Sequence, residues 1–217
     1  MTKIKGVIFD MDGVISDTQK MHASVEEKLL KKYGIEMNSD EITEKYAGMP
    51  DKEFFEKIFK DHKVSVNVEE IIREKWNEMM RIAKNNISPI PGAIELIKQL
   101  KENGFKLAVA SSSPHNFIEL VLSKLKIKKE FDVVVSAEDV KFGKPNPEIF
   151  LLASKKLNLN PSECVVIEDG INGIIAAKRA EMKCIFLTKE NQNQYLADLV
   201  ISSLKELSIK NIKNLLC

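Results

Sequence analysis

The chain has 217 residues, 44% of them hydrophobic, and its 33 lysines and arginines nearly balance its 32 aspartates and glutamates. This length and apolar fraction are typical of one globular domain that can bury a core, with room for a small insertion. The net charge of +1 argues against a nucleic-acid-binding protein, and no stretch approaches the roughly 18 apolar residues that a membrane span needs.

The first element in the chain is a short apolar run, Ile4–Phe9, which has the pattern of a β-strand rather than of a signal peptide. Three cysteines, Cys164, Cys184 and Cys217, make an odd number without a CxxC pair. We therefore expect reduced thiols rather than disulfides or a zinc site. Together these features predict a cytoplasmic protein that acts as a monomer, without a nucleic-acid or membrane partner.

Short β-branched apolar runs alternate with helical patterns along most of the chain. The strand-like runs are Ile4–Phe9, Leu107–Ala110, Val133–Val135, Val165–Ile167, Ile185–Leu187 and, more weakly, Leu199–Ile201. The helical patterns between them include Ala93–Leu100, Phe117–Leu125, Pro147–Leu157 and Gly173–Ala180. Uninterrupted apolar strands separated by amphipathic helices indicate a parallel sheet that is covered on both faces. The sequence therefore predicts the α/β class, with a doubly wound parallel sheet.

Residues 18–87 break this alternation, because they contain helical periodicity and no convincing strand. Three apolar stripes recur there at helical spacing: Met21, Val25, Leu29 and Tyr33; Phe54, Phe55, Ile58 and Phe59; and Ile71, Ile72, Trp76, Met79, Met80 and Ala83. About seventy residues are too many for an ordinary crossover loop. We therefore predict an inserted α-helical cap domain at 18–87 and a core domain formed by 1–17 and 88–217. The sequence Ser-Pro-Ile-Pro-Gly at 88–92 is typical of a hinge.

Polar residues follow four of the predicted strands, at the positions where α/β proteins bind their ligands. They are Asp10 and Asp12 after the first strand, Ser111, Ser112 and Ser113 after the second, Lys144 beyond the third, and Glu168 and Asp169 after the fourth. Each group alone could be a turn, a helix cap or a surface residue, but four such strand ends together indicate one site. Clustered carboxylates repel one another. The hard cation Mg²⁺, which prefers oxygen ligands, would relieve that repulsion better than zinc.

The motifs at these positions resemble those of the haloacid dehalogenase superfamily. They are DMDGV at 10–14, a serine after the second strand, Lys144-Pro145, and the acidic pair at 168–169 before Gly170. The segments GKPNPEIF and VIEDGINGIIAAKRAEMK are similar to those of bacterial sugar-phosphate phosphatases, within the phosphatase and β-phosphoglucomutase subgroup. The resemblance extends over the whole chain, and it implies a Rossmann-like core with a helical cap inserted after the first motif.

The resemblance implies a role in catalysis or binding for five side chains. Asp10 would attack phosphorus and form an aspartyl-phosphate, and Asp12 would protonate the leaving alkoxide and later deprotonate water. Ser111 would hydrogen-bond the transferring phosphoryl group, and Lys144 would neutralise its oxygens and the Asp10 carboxylate. Ser112 is a further candidate for binding the substrate. Positioning and charge stabilisation are most of what phosphoryl transfer requires.

The resemblance also implies how Mg²⁺ would be held. Its ligands would be Asp10, the main-chain carbonyl of Asp12, and Asp169. Glu168 is either a direct ligand or a support for one, and the sequence leaves both possibilities open. The ion would screen the repulsion between an anionic nucleophile and an anionic phosphate.

Within this superfamily the sequence favours a phosphatase over three alternatives. A resemblance to the dehalogenase branch would imply a site without a second aspartate and without magnesium ligands. In this sequence Asp12 and Asp169 are both present. A non-catalytic binding module would not need the complete set of nucleophile, acid and lysine. A β-phosphoglucomutase-type phosphomutase is the strongest alternative, because Thr18 and His22 lie where those mutases carry residues that regulate the general acid. His22 could equally be a histidine on the surface of a helix.

A mutase must also bind the second phosphate of a bisphosphate. Asp51 and Pro114 stand where the mutases use an arginine and a lysine, and neither residue can bind a phosphate dianion. Lys52 or His115 could substitute after a small shift. The sequence therefore predicts a phosphatase, with the mutase as the alternative.

The substrate is determined largely by the cap, and there the sequence is less informative. The loop at 46–52 and Trp76 are predicted to face the site, although packing within the cap would explain both equally well. Lys52, His22 and Asn77 could contact sugar hydroxyls. We expect the substrate to be a small phosphorylated sugar or polyol.

Overall fold

The computed structural model describes residues 3–46, 49–189 and 196–215. Within them the strands are β1 (Gly6–Phe9), β2 (Lys106–Ser111), β3 (Val133–Ser136), β4 (Cys164–Glu168), β5 (Lys183–Leu187) and β6 (Leu199–Ile201). They form a six-stranded sheet in the order β3-β2-β1-β4-β5-β6, and each strand runs parallel to its neighbours. The predicted doubly wound parallel sheet is confirmed.

The helices of the described residues fall into two groups along the chain. Between β1 and β2 lie α1 (Gln19–Lys31), α2 (Ser39–Tyr46), α3 (Asp51–Asp61), α4 (Val68–Ala83) and α5 (Ala93–Glu102). After β2 come α6 (His115–Lys124), α7 (Glu148–Lys156), α8 (Ile171–Arg179) and α9 (Ile209–Asn214). We refer to α1–α4 as the cap helices.

The strands are apolar at successive positions because helices cover both faces of the sheet. In β1, Val7 and Phe9 belong to one apolar cluster, whereas Ile8 between them belongs to another. Buried residues of α5 and α6 extend the first cluster, and those of α7 and α8 extend the second. The alternation of side chains along each strand thus explains why an unbroken apolar run is needed here.

The cap helices α1, α3 and α4 carry the three apolar stripes that the sequence shows. Tyr33, the last residue of the first stripe, lies beyond the end of α1 and is exposed. No apolar stripe predicts helix α2, because Ile42 is its one buried residue. The long helical segment between β1 and α5 is therefore built from four helices rather than three, counted over its described residues.

The two connections between the sheet and the cap helices run side by side. The Asp17 N–H donates to the Ser88 carbonyl at 2.9 Å, and the Ile90 N–H donates to the Ile15 carbonyl at 2.9 Å. A cap inserted into the core would begin and end at two neighbouring connections of this kind. We therefore propose that the domain boundary lies there, with a cap at 18–87 and a core at 1–17 and 88–217.

The cysteines that the structure describes are free, as the sequence predicts. Cys164 and Cys184 are buried and unpaired, and burial raises the pKa of the Cys164 thiol to about 12. Cys217 lies outside the described residues, as do Ala47 and Gly48 of the predicted cap loop. Among the described helices, none has the length and apolarity that crossing a membrane requires.

Candidate active site

The candidate site is centred on a buried lysine that joins the ends of three neighbouring strands. Asp10 follows β1, Glu168 ends β4, and Lys144 lies in the segment after β3. The Lys144 ammonium donates to Asp10 Oδ1 at 2.5 Å, to Glu168 Oε1 at 2.6 Å and to the carbonyl of Ala110 in β2 at 3.1 Å. Because the chain leaves β1 toward β2 on one side and later returns to β4 on the other, this is the point where α/β sheets bind ligands.

The carboxylates at these strand ends repel one another, because they carry like charges at short distance. Burial, with Glu168 and Asp12 close by, raises the pKa of Asp10 to about 8 even though Lys144 acts in the opposite direction. Burial and the neighbouring carboxylates also raise the pKa of Asp169 well above its usual range. For Lys144, burial acts to lower the pKa, but Asp10 and Glu168 outweigh it and the pKa is raised. A single ammonium does not neutralise this group of acids.

Three of these carboxylates can share a cation. Oxygens of Asp10, Glu168 and Asp169 all lie within 4.8 Å of one another. Two glycines make room for them: a Cβ at Gly13, whose φ is +82°, would lie 1.9 Å from Asp169 Oδ2, and one at Gly173 would lie 1.9 Å from Glu168 Oε1. An all-oxygen donor set with uncompensated negative charge fits Mg²⁺. These residues are therefore suited to the ion that the sequence predicts.

Glu168 has further partners besides Lys144. Its Oε2 accepts hydrogen bonds from the N–H groups of Asp169 and Gly170, both at 3.0 Å. The carboxylate thus fixes the turn that carries Asp169 while it also belongs to the group that can share a cation. Both roles that the sequence leaves open for Glu168 are compatible with this position.

Asp12 is held apart from this group by several hydrogen-bond donors. Its Oδ1 accepts from the Thr18 hydroxyl and lies 3.3 Å from Nε2 of His22. Its Oδ2 accepts from the hydroxyls of Ser113 at 2.9 Å and of Ser111 at 3.3 Å. Burial acts to raise the pKa of Asp12, but His22, Thr18 and Ser113 outweigh it and hold that pKa below its usual range. Thr18 and His22 thus both contact Asp12, the residue for which the resemblance implies the role of general acid.

The three serines at the end of β2 differ in whether they line the pocket. Ser111 is fully buried, where its hydroxyl donates to Asp12 and accepts from the Ser113 N–H at 3.1 Å. Ser112 and Ser113 line the pocket. Ser111 and Ser113 therefore both support Asp12 in this structure, and Ser112 and Ser113 line the space in which a phosphoryl group would bind. The sequence places Ser113 in the same serine run but assigns it no individual role.

The cap helices close the other side of the pocket. Cap residues line the same cavity as Asp10, Asp12 and Lys144. Trp76 lines this side, and its ring also packs edge-to-face against His22, with centroids 5.4 Å apart, and at 61° against Phe117 of α6, with centroids 5.2 Å apart. Tyr46 and Met49, on either side of the undescribed residues 47–48, line it as well. Trp76 thus both packs within the structure and faces the site.

The structure does not bring three of the other candidates to the pocket. Lys52 is 61% exposed, with its ammonium 3.2 Å from Glu69 on the surface. Asn77 lines a different groove, between α1 and α4. His115 lies 3.0 Å from Asp139. In this structure none of these three described residues lines the cavity that contains Asp10, so the predicted substrate contact of Lys52 has no geometric support.

Sequence reasoning missed a group of cap residues that does line the pocket. They are Gln19, Glu26, Thr43 and Lys75. Lys75 had a visible signal, since it stands four residues from both Ile71 and Met79 on the buried face of α4. A lysine at such a position is expected to have an acidic partner.

Known proteins with similar sequences and structures are consistent with this arrangement. The family model of the haloacid dehalogenase-like hydrolases matches residues 7–187. The chain is 30% identical to a phosphorylated carbohydrates phosphatase from Thermotoga maritima over 213 residues, which cover 98% of each protein. It is 29% identical to hexitol phosphatase B from Escherichia coli over 97% of each protein. A crystal structure of β-phosphoglucomutase from Clostridium difficile matches with a TM-score of 0.86 and 34% identity, over 98% of this chain and 96% of that one.

We expect Gly173→Ala to remove most of the rise in melting temperature that Mg²⁺ produces in the wild-type protein. A Cβ at this position would lie 1.9 Å from the Glu168 carboxylate, which must then leave the position in which it can share a cation with Asp10 and Asp169. A ligand that binds only the folded state stabilises it in proportion to ln(1 + [L]/Kd), so weaker binding gives a smaller shift. Thermal unfolding followed by circular dichroism, with and without Mg²⁺, measures this difference.

Gly170→Ala is the matched control for this substitution. A Cβ at Gly170 would lie 3.7 Å from Oε2 of Glu168, which is an ordinary contact. This variant should keep the wild-type response to Mg²⁺. An undiminished response in Gly173→Ala would show that the position of Glu168 is unimportant for the cation.

Proposed function

Because the chain belongs to the haloacid dehalogenase-like hydrolases, we propose that it is a Mg²⁺-dependent phosphatase acting on a small sugar or polyol monophosphate. The observation that carries this proposal is the contrast between two aspartates that line one pocket. Asp10 is bonded to Lys144 and shares a possible cation site with Glu168 and Asp169, whereas Asp12 is held by hydroxyls and His22 beside the same cavity. The first environment suits a carboxylate that attacks phosphorus, and the second suits a carboxyl group that exchanges a proton.

In the proposed reaction Asp10 is the nucleophile. One of its carboxylate oxygens forms a bond to phosphorus while the bond from phosphorus to the substrate alkoxide breaks. Asp12 becomes a proton donor when the anionic phosphate of a bound substrate raises its pKa against the effect of His22 and the hydroxyls. It gives its proton to the departing alkoxide, then takes a proton from the water that hydrolyses the aspartyl-phosphate. Inorganic phosphate leaves, and both carboxyl groups return to their starting states.

The surrounding residues supply charge and orientation for these steps. Lys144 is close enough to Asp10 to bind the oxygens of a phosphoryl group attached there, and Ser112 and Ser113 line the same space. Asp10, Asp169, the Asp12 carbonyl and Glu168 would hold Mg²⁺. When bound, this ion neutralises the negative charge shared by nucleophile and phosphate.

Hydrolysis is favoured over phosphoryl transfer to a second position of the sugar. The bonds from Thr18 and His22 to Asp12 are compatible with a mutase, and a β-phosphoglucomutase is among the similar structures. A mutase needs cations for the second phosphate, however, and Asp51 lies in the pocket with its charge directed at Lys75. The two substitutes that the sequence offers, Lys52 and His115, are engaged elsewhere.

We propose in addition that the enzyme acts as a monomer in the cytoplasm. The free Cys164 and Cys184 thiols are compatible with a reducing location, where free thiols persist. The molecule that the enzyme binds is a small phosphorylated metabolite.

Asp10→Asn should abolish Mg²⁺-dependent hydrolysis of p-nitrophenyl phosphate, because the amide keeps the shape of the side chain but cannot attack phosphorus. Release of p-nitrophenol, measured with and without Mg²⁺, tests this. Asp17→Asn, the same chemical change at an exposed residue, should keep the wild-type rate. Substantial turnover by Asp10→Asn, in a preparation checked for deamidation, would remove Asp10 from the role of nucleophile.

Asp12→Ala should slow both formation and hydrolysis of the aspartyl-phosphate by roughly 10²–10⁴-fold, the range typical of general acid–base groups. Rapid-quench measurements of the phosphorylated enzyme separate the two steps. Near wild-type rates for both would move the acid–base role to another residue, and His22, which contacts Asp12, would be the first to examine.

The wild-type enzyme should release inorganic phosphate from a sugar monophosphate and interconvert β-glucose 1-phosphate and glucose 6-phosphate only slowly. Losing two charge-assisted contacts to the second phosphate weakens bisphosphate binding by on the order of 10²–10⁴-fold, so water reacts with the aspartyl-phosphate first. A coupled assay with glucose 6-phosphate dehydrogenase measures isomerisation, and a phosphate assay on the same sample measures hydrolysis. Isomerisation faster than phosphate release would establish the mutase instead.

A further inference from the structure

A second buried lysine lies on the cap side of the pocket, where the proposed reaction does not use it. Lys75, in the middle of α4, is 1% exposed, and its ammonium donates to Oε1 of Glu26 on α1 and to Oδ1 of Asp51 on α3, both at 2.5 Å. Burial acts to lower the pKa of Lys75, but the two carboxylates outweigh it and raise that pKa. The ammonium is therefore charged and occupied by its two acidic partners.

The two acids retain capacity for further hydrogen bonds. Glu26 and Asp51 line the same cavity as Asp10, and their side chains are 12% and 21% exposed. Each gives one oxygen to Lys75, and within the described residues no hydrogen bond reaches Oε2 of Glu26 or Oδ2 of Asp51. The cap side of the pocket thus presents two acceptor oxygens, and its three charged side chains carry one negative charge in excess.

The two free carboxylate oxygens favour some substrates over others, according to the chemistry of the part of the substrate that lies opposite its reacting phosphate. A hydroxyl group donates to a carboxylate in a charge-assisted hydrogen bond. An alkyl chain would remove water from both carboxylates and give them no partner, which is unfavourable. A second phosphate would meet a surface of like charge, and the remaining pocket lysine, Lys144, is already bound to Asp10 and Glu168 in the described structure.

We infer that Glu26, Lys75 and Asp51 form the specificity element of this pocket, which binds the hydroxyl groups of a phosphorylated polyol and excludes substrates with a second phosphate. The inference rests on the proposed phosphatase function and adds which part of the substrate is recognised. Glu26 and Asp51 touch the substrate, and Lys75 is a positioning residue that holds their carboxylates in place. The same ion pairs also join three cap helices. A purely structural role would alter stability but leave the ranking of substrates unchanged.

Three six-carbon phosphate esters test the ranking in the wild-type enzyme with Mg²⁺: sorbitol 6-phosphate, n-hexyl phosphate and fructose 1,6-bisphosphate. We expect kcat/KM for sorbitol 6-phosphate to exceed the other two values by about 100-fold, since each of those esters lacks or opposes two charge-assisted hydrogen bonds. Equal or faster hydrolysis of hexyl phosphate or of the bisphosphate overturns the inference. Failure to hydrolyse any ester, p-nitrophenyl phosphate included, would instead contradict the proposed phosphatase function.

Two isosteric variants test the residues themselves. Asp51→Asn and Glu26→Gln each keep an acceptor for Lys75 and remove one negative charge. In each variant the ratio of kcat/KM for the bisphosphate to that for sorbitol 6-phosphate should rise about tenfold, because one charge acting across a partly screened pocket has roughly that effect. Glu53→Gln, at an exposed position of α3, is the matched control and should keep the wild-type ratio. Ratios that stay at the control value in both pocket variants would overturn the inference and assign the cluster to cap stability.

Discussion

The active-site end of the sheet depends on one buried ammonium group. Lys144 contacts a residue after β1, a carbonyl of β2 and the last residue of β4, so three strand ends share a single counter-charge. A buried ion pair that loses one partner costs about 3–5 kcal/mol, because the remaining charge is left uncompensated. Lys144, Asp10 and Glu168 therefore act as one unit, and neither carboxylate can be understood without the other.

This unit contains two acids and one base, and Asp169 lies beside it as a third acid. Two nearby glycines leave space for these carboxylates. Gly13 and Gly173 let the backbone approach the Asp169 and Glu168 carboxylates at distances that a Cβ would block. Glycine within a helix lowers folding stability by roughly 0.5–1 kcal/mol relative to alanine. At Gly173 an alanine would instead clash with the Glu168 carboxylate. A divalent cation bound to these acids would supply the missing positive charge. The glycines and the carboxylates thus form one arrangement that is suited to such an ion.

Local sequence was sufficient for the sheet and for the residues at its strand ends, but not for the contacts made across the cap. A buried parallel strand is an unbroken apolar run, so β1 and β4 were visible, and Asp10 and Glu168 followed from their ends. Neighbouring residues on a strand or helix point in different directions, which is why Ser111 and Lys52 did not face the pocket as expected. The Lys75–Glu26 pair joins residues 49 positions apart, and no local pattern reports such a pair.

The two buried lysines of the pocket have the same kind of environment and different consequences. Each is bonded to two carboxylates, and each has a raised pKa because those carboxylates outweigh burial. In the proposed reaction, Asp10 loses its negative charge when its oxygen bonds to phosphorus, so Lys144 gains a new anionic partner in the phosphoryl group. Glu26 and Asp51 keep their charges throughout, so Lys75 never becomes available to a substrate anion. Whether a buried lysine binds substrate is therefore decided by whether the reaction changes the charge of its partners.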